Sequence, residues 1–165
     1  MTKCFLILSV TFLQPNLPAQ IGAGPKADDH LQTVDDSKYR AGDVWEYETR
    51  TGEGHSRLIV LKLERSSKLG IIVHVAVDNL FWKACQGDRL PEAVPHMPFA
   101  RKAIDASVTR RVATGHSLPA YKDGYEIWRR DYSRGHAGVY VSSVKDAVAV
   151  AEETWRTGLG CGKRE

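Results

Sequence analysis

The 165-residue chain lacks any apolar run long enough to cross a bilayer: the run at its N-terminus, Phe5 to Leu13, has nine residues before Gln14 and Pro15 interrupt it, against about 20 for a spanning helix. Charge of one sign is equally scarce. Lys and Arg number 23 and Asp and Glu 20, a balance too even to mark nucleic acid or an anionic membrane as the partner. Catalytic signatures are missing: there is no G-x-S-x-G elbow, no phosphate-cradling glycine loop, no H-E-x-x-H and no C-x-x-C. No two of the six histidines stand at i, i+2 or i, i+4, so no local metal-binding pair exists. These absences remove the sequence basis for assigning a cofactor or a metal.

What is present begins with an export signature. Lys3 supplies a positive start, Phe5 to Leu13 an apolar stretch too short to anchor, and Pro15 to Ala19 a helix-breaking segment ending in a small residue, which together predict a signal peptide over residues 1–19. Cys4 precedes the apolar run, so it is misplaced for the acylated cysteine of a lipoprotein. The expected product is periplasmic or secreted, without a stable membrane anchor. Removing 19 residues leaves 146, enough for one domain that buries roughly 68% of its unfolded surface. Cys85 and Cys161 remain, in a compartment where disulfides form. A bridge between them would close a long loop and contribute roughly 4 kcal/mol on the chain-entropy model, although Cys161 sits in the Gly-rich end GLGCGKRE.

Residues 20–41, rich in Gly, Asp, Gln and Lys, read as a flexible leader. A single domain is expected over 42–157, followed by a flexible tail over 158–165. Asp43 to Arg50 alternates as a half-buried strand. Ser56 to Glu64 and Gly70 to Val77 are β-branched and leucine-rich runs, apolar on both sides. Asp78 and Asn79 suggest a bend into a fourth strand, Leu80 to Ala84. Pro91, Pro95 and Pro98 then predict a long loop over Gln86 to Pro98.

Pro98 suits a first helical turn, and Ala100, Ala103, Ile104, Ser107, Val108 and Val112 recur at helical spacing through Phe99 to Ala113. A second helix runs over Gly124 to Arg134 with Tyr125, Trp128 and Tyr132 on its buried stripe, capped by Gly135. Ala137 to Ser142 reads as a strand. Ser143 caps a last helix whose apolar stripe is Val144, Ala147, Val148, Ala151 and Trp155. The order β-β-β-(β)-α-α-β-α predicts an α+β fold, an antiparallel sheet of four to five strands with about three helices packed on one face.

His96 is the candidate for chemistry. Placed just before the helix that Pro98 would open, it would feel the positive end of the dipole and stay neutral, able to accept a proton. The plainer reading is that it packs against the sheet, because no partner nucleophile is identifiable. Arg129 and Arg130 beside Trp128 resemble a basic-aromatic surface, but the charge balance argues for a solvated face over a core stripe.

The stretch Gly42-Asp43-Val44-Trp45-Glu46-Tyr47-Glu48-Thr49-Arg50, with His96-Met97-Pro98-Phe99, Tyr125 with Trp128, and Gly135-His136-Ala137-Gly138-Val139, resembles a family of short exported bacterial proteins of uncharacterised function. The likeness spans about Gly42 to Glu153. It implies an envelope or secreted location and brings no activity, ligand or catalytic residue; Cys85 and Cys161 are not part of it. The leading expectation is a non-enzymatic module that binds a small ligand or an envelope protein, with an exposed aromatic patch near Trp45, Trp82 or Trp128. The alternatives are a small hydrolase pairing His96 with Asp123 or Asp131, and an inhibitor or immunity-type protein whose contact surface is the Pro-rich loop Gln86 to Pro98.

Overall fold

The computed structural model describes residues 30–82 and 92–158. The expected signal segment, Cys85, Cys161 and nearly all of the expected tail lie outside them. Six strands, β1 (Gln32–Thr33), β2 (Val44–Tyr47), β3 (Arg57–Ser66), β4 (Gly70–Asp78), β5 (Val94–Ala100) and β6 (Val108–Ala113), alternate late in the chain with three helices, α1 (Arg101–Ser107), α2 (Lys122–Ser133) and α3 (Val144–Gly158). The strands form one open antiparallel sheet in the order β5-β4-β3-β2-β6, with β1 also paired to β3. The α+β class holds, with six strands in place of four or five.

The side chains sort by strand parity. On one face, Trp45, Tyr47, Leu58, Val60, Leu63, Val73, Val75, Val77, Met97 and Phe99 pack with Ala103 and Ile104 of α1 and Val144, Ala147 and Val148 of α3. On the other, Ile72 joins Tyr125, Trp128 and Tyr132 of α2 and Val139, while Val44, Ile59, Leu61 and Ala76 form a smaller cluster against Tyr121. The helices therefore divide between the faces instead of sharing one: α1 and α3 cover the larger core, and α2 the other side.

Two strands lie where the sequence suggested otherwise. The expected loop from Gln86 to Pro98 ends in β5, which tolerates its prolines because of where it sits. It is an edge strand, Pro98 turns its carbonyl outward to accept the Tyr140 amide at 2.9 Å, and its missing N–H faces the same way, so no ladder bond to β4 is lost. Pro95 falls within a β-bulge, where three β5 steps from Val94 to Met97 oppose two on β4 from Val77 to Val75. Pro98 consequently starts no helix. The expected helix Phe99–Ala113 shrinks to α1, and its second half becomes β6, paired to β2 from Val108 to Ala113.

Leu80 to Trp82 form no strand; Asn79 takes a left-handed φ of 50°, and Leu80 donates to the Glu92 carbonyl. The expected strand Ala137–Ser142 is reduced to a single parallel bridge between Tyr140 and Phe99. Residues expected to be a loose leader before Gly42 contribute to the body: β1 pairs with β3, and Tyr39 is fully buried, its hydroxyl donating to Asp105 at 2.7 Å. Asp36 accepts the backbone amides of Lys38 and Tyr39 and pairs with Arg101. Trp155 is 48% exposed and leaves the buried stripe of α3, whereas Ser143 Oγ accepts the Asp146 amide as the expected cap.

Candidate functional site

His74, in the middle of the apolar β4 run, is fully buried and faces α2. Its neighbours are set by a bulge on each adjacent strand. On β3, Val60 opposes Val75 while Lys62 opposes His74, so Leu61 is the extra residue and Lys62 and Glu64 both fall on the α2 side. On β5, the Pro95–His96 bulge brings His96 to the same place. His74 Nδ1 and His96 Nε2 lie 3.0 Å apart, and their rings are stacked with centroids 5.2 Å apart.

Glu64, 3% exposed, organises the other end of this seam. It pairs with Lys62 Nζ at 2.7 Å, accepts the Tyr125 hydroxyl at 3.0 Å and lies 3.1 Å from His74 Nε2, off the line of its N–H. Lys62 also donates to the Tyr125 hydroxyl at 3.0 Å. Trp128 closes the seam edge-on to His74, with its indole N–H bonded to the Gly138 carbonyl at 2.8 Å. Gly124 allows a close approach here: a Cβ on it would stand 3.2 Å from the Cβ of His96. Tyr125, Trp128 and Tyr132 are thus core, as their spacing suggested.

Burial opposes ionisation of Glu64, but His74 and Lys62 outweigh it and hold its carboxyl down at about 2. Burial, reinforced by His74, lowers His96 to about 3, and burial lowers His74 as well. His96 is therefore neutral, but for a reason other than a helix dipole: it is half-buried in a bulge and precedes no helix. Its hydrogen-bond partner among the described residues is His74, not Asp123 or Asp131. Asp123 is exposed in the first turn of α2, and the Asp131 carboxylate pairs with Arg130 while its backbone carbonyl accepts the Arg134 and His136 amides at the end of that helix. The pairing on which the hydrolase reading depended is absent from the described residues.

A concave site lies on the other side of the molecule. The turn after β2, the segment at Phe81 and α3 enclose a cavity of about 570 Å³ lined by Arg50, Glu53, Phe81, Ala149, Glu152 and Arg156 among others. Arg50 builds it. Its guanidinium binds Glu53 through two nitrogens and Glu152 through a third, and both carboxylates, Glu53 above all, raise its pKa against the opposing effect of burial. Glu53, 2% exposed, also accepts the Phe81 amide at 3.1 Å, which leaves the Phe81 ring 73% exposed at the rim. A comparable cavity between residues 33–41 and β3 is lined by Asp35, Asp36, Arg40 and Lys62 but has no exposed aromatic wall.

Of the aromatics expected to form an exposed patch, Trp45, Trp82 and Trp128 are all buried; among the described residues the exposed Phe and Trp rings are Phe81 and Trp155. Neither Arg50 with its two carboxylates nor the seam of Lys62, Glu64 and His74 stood out in the sequence. The one available signal for the seam was a lone imidazole inside GIIVHVAV. Among the described residues no cluster of three or more His, Cys, Asp or Glu side chains could hold a metal, and no helix is long and apolar enough to cross a membrane. No family model, curated protein or solved structure matches the chain.

Proposed function

We propose that this is an exported, non-catalytic binding module that seats a positively charged group on an apolar body, free or displayed by an envelope protein, in the Arg50–Phe81–α3 cavity. The observation that carries this reading is the composition of the cavity wall. Its size lies in the range of small-ligand sites. Among the described residues, three carboxylates, Glu53, Glu152 and Glu153, stand against two guanidinium groups, Arg50 and Arg156, one negative charge in excess. Phe81 offers an exposed ring face on which a cation gains roughly 0.5–1 kcal/mol. The apolar leader at residues 5–13 and the resemblance described above support export.

Phenethylamine and phenylacetate, titrated against the thermal unfolding midpoint, test the reading. The amine is expected to raise the midpoint in proportion to the logarithm of its concentration, and the carboxylate to leave it unchanged. Ala149→Trp, which fills the cavity from an exposed position of α3, should abolish the effect, and Phe81→Ser should weaken it. No amine response, or an equal response in Ala149→Trp, overturns the assignment.

A further inference from the structure

The seam under α2 has a property that the binding reading does not use. An imidazole pair with facing nitrogens at 3.0 Å is closed by one shared proton. With the Glu64 carboxylate 3.1 Å from His74 Nε2, the proton of that ring sits on Nε2, His74 Nδ1 is the acceptor and His96 supplies its Nε2–H. One added proton fits, on His96 Nδ1, or on His74 with His96 changing tautomer. A second would set two N–H groups head to head and place two cations side by side.

Among the described residues, the surroundings hold no unmatched charge to compensate that second proton. From β3, Glu64 faces the pair, but it is already matched by Lys62. From α2, the groups that face it are Tyr125, whose phenol burial keeps neutral, and the Trp128 ring. Lys122, Asp123 and Glu126 of that helix are exposed to solvent. From β5, the residues beside His96 are Pro95, Met97 and Pro98. α2 comes so near His96 at Gly124 that a Cβ there would stand 3.2 Å from the His96 Cβ, so disruption of the pair reaches the helix without an intermediary.

We propose that His74 and His96 form an acid-operated latch, which holds α2 on the sheet when the pair shares one proton and releases it when both rings are charged. The two faces of the sheet make selective release feasible. α2 is held by the small cluster around Ile72 and Val139, whereas α1 and α3 belong to the larger core on the opposite face. The sign follows from proton uptake: the two released rings take protons below the ordinary imidazole value near 6.5, the docked pair has room for one at most, and falling pH therefore favours release.

Amide hydrogen exchange of the full chain between pH 6.5 and 4.5, corrected for intrinsic rates, is the test. The opening constant of residues 122–133 is expected to rise more steeply than tenfold per pH unit, toward the roughly hundredfold slope of two protons, while β3 and β4 keep their protection. In His96→Leu the slope should fall to about tenfold, for His74 alone. If that variant does not fold, His96→Gln, which can still donate to His74 Nδ1 but does not titrate, replaces it with the same expectation. Equal slopes in wild type and variant, joint opening of α2 with the sheet, or an α2 that stays closed at pH 4.5 would each refute the latch.

Discussion

Replacing Glu64 by Gln keeps the size of a 3% exposed side chain and removes its charge. The wild-type carboxylate accepts from Lys62 and Tyr125 and lies against His74. Removing one partner of a buried pair costs about 3–5 kcal/mol when the other charge is trapped. Lys62, however, is 26% exposed along its side chain and can swing toward water. A carboxyl lowered to about 2 corresponds to at most about 3 kcal/mol. Because His74 is itself held neutral, Lys62 supplies most of that, and the expected loss is about 2 kcal/mol at pH 7.

Urea unfolding at constant m-value measures it, and pH supplies the decisive comparison. A carboxyl held below its unfolded value stabilises fully above about pH 4.5 and loses that contribution as pH falls toward its folded value of about 2. The gap between wild type and Glu64→Gln should therefore be flat from pH 8 to 5 and close below it. A loss under about 0.5 kcal/mol at pH 7, the level of ordinary surface changes, or a gap that widens in acid, would refute the electrostatic account of the seam.

Two further outcomes concern the frame. Gly42 has φ of +84°, and a Cβ there would stand 2.9 Å from the backbone oxygen of His116. Gly42→Ala should therefore cost about 2 kcal/mol or more, seen as a fall of several degrees in the unfolding midpoint. Tyr39→Phe should cost about 1 kcal/mol through the lost bond to Asp105, and Tyr39→Ala about 3–5 kcal/mol through the emptied core. An unchanged midpoint in Tyr39→Ala would show that residues 31–40 are dispensable to the fold.

Much of the sheet was legible locally. β2 alternates, β3 and β4 are β-branched runs, and the stripes Tyr125-Trp128-Tyr132 and Val144-Ala147-Val148 marked two helices, because each pattern reports burial that its own element undergoes. β5 was hidden by its prolines, whose effect depends on which way an edge strand turns its N–H groups, a fact of tertiary placement. β6 was hidden by accidental helical spacing: Val108, Val112 and their neighbours follow α1 without a glycine to break the pattern. At Tyr39 the polar composition of its neighbours outweighed one aromatic residue.

The candidate sites were less legible than the fold. His96 was visible as a residue, but its partner depended on two irregularities in strand register that no local pattern encodes. Arg50 unites Glu53, three residues away, with Glu152, 102 residues away in the chain. Only the packing of α3 brings that pair together.

The supernumerary residue on β3 has an evolutionary consequence. The Leu61–Lys62 bulge is where a codon could be lost while every remaining side chain kept its side of the sheet; a loss toward either end of the strand would exchange inside for outside over the rest of the segment. Lineages that shed Leu61 would keep Lys62 and Glu64 beside His74 in an evenly pleated strand. Length variation in β3 is therefore expected to disturb the sheet least at that bulge, at the cost of one buried leucine.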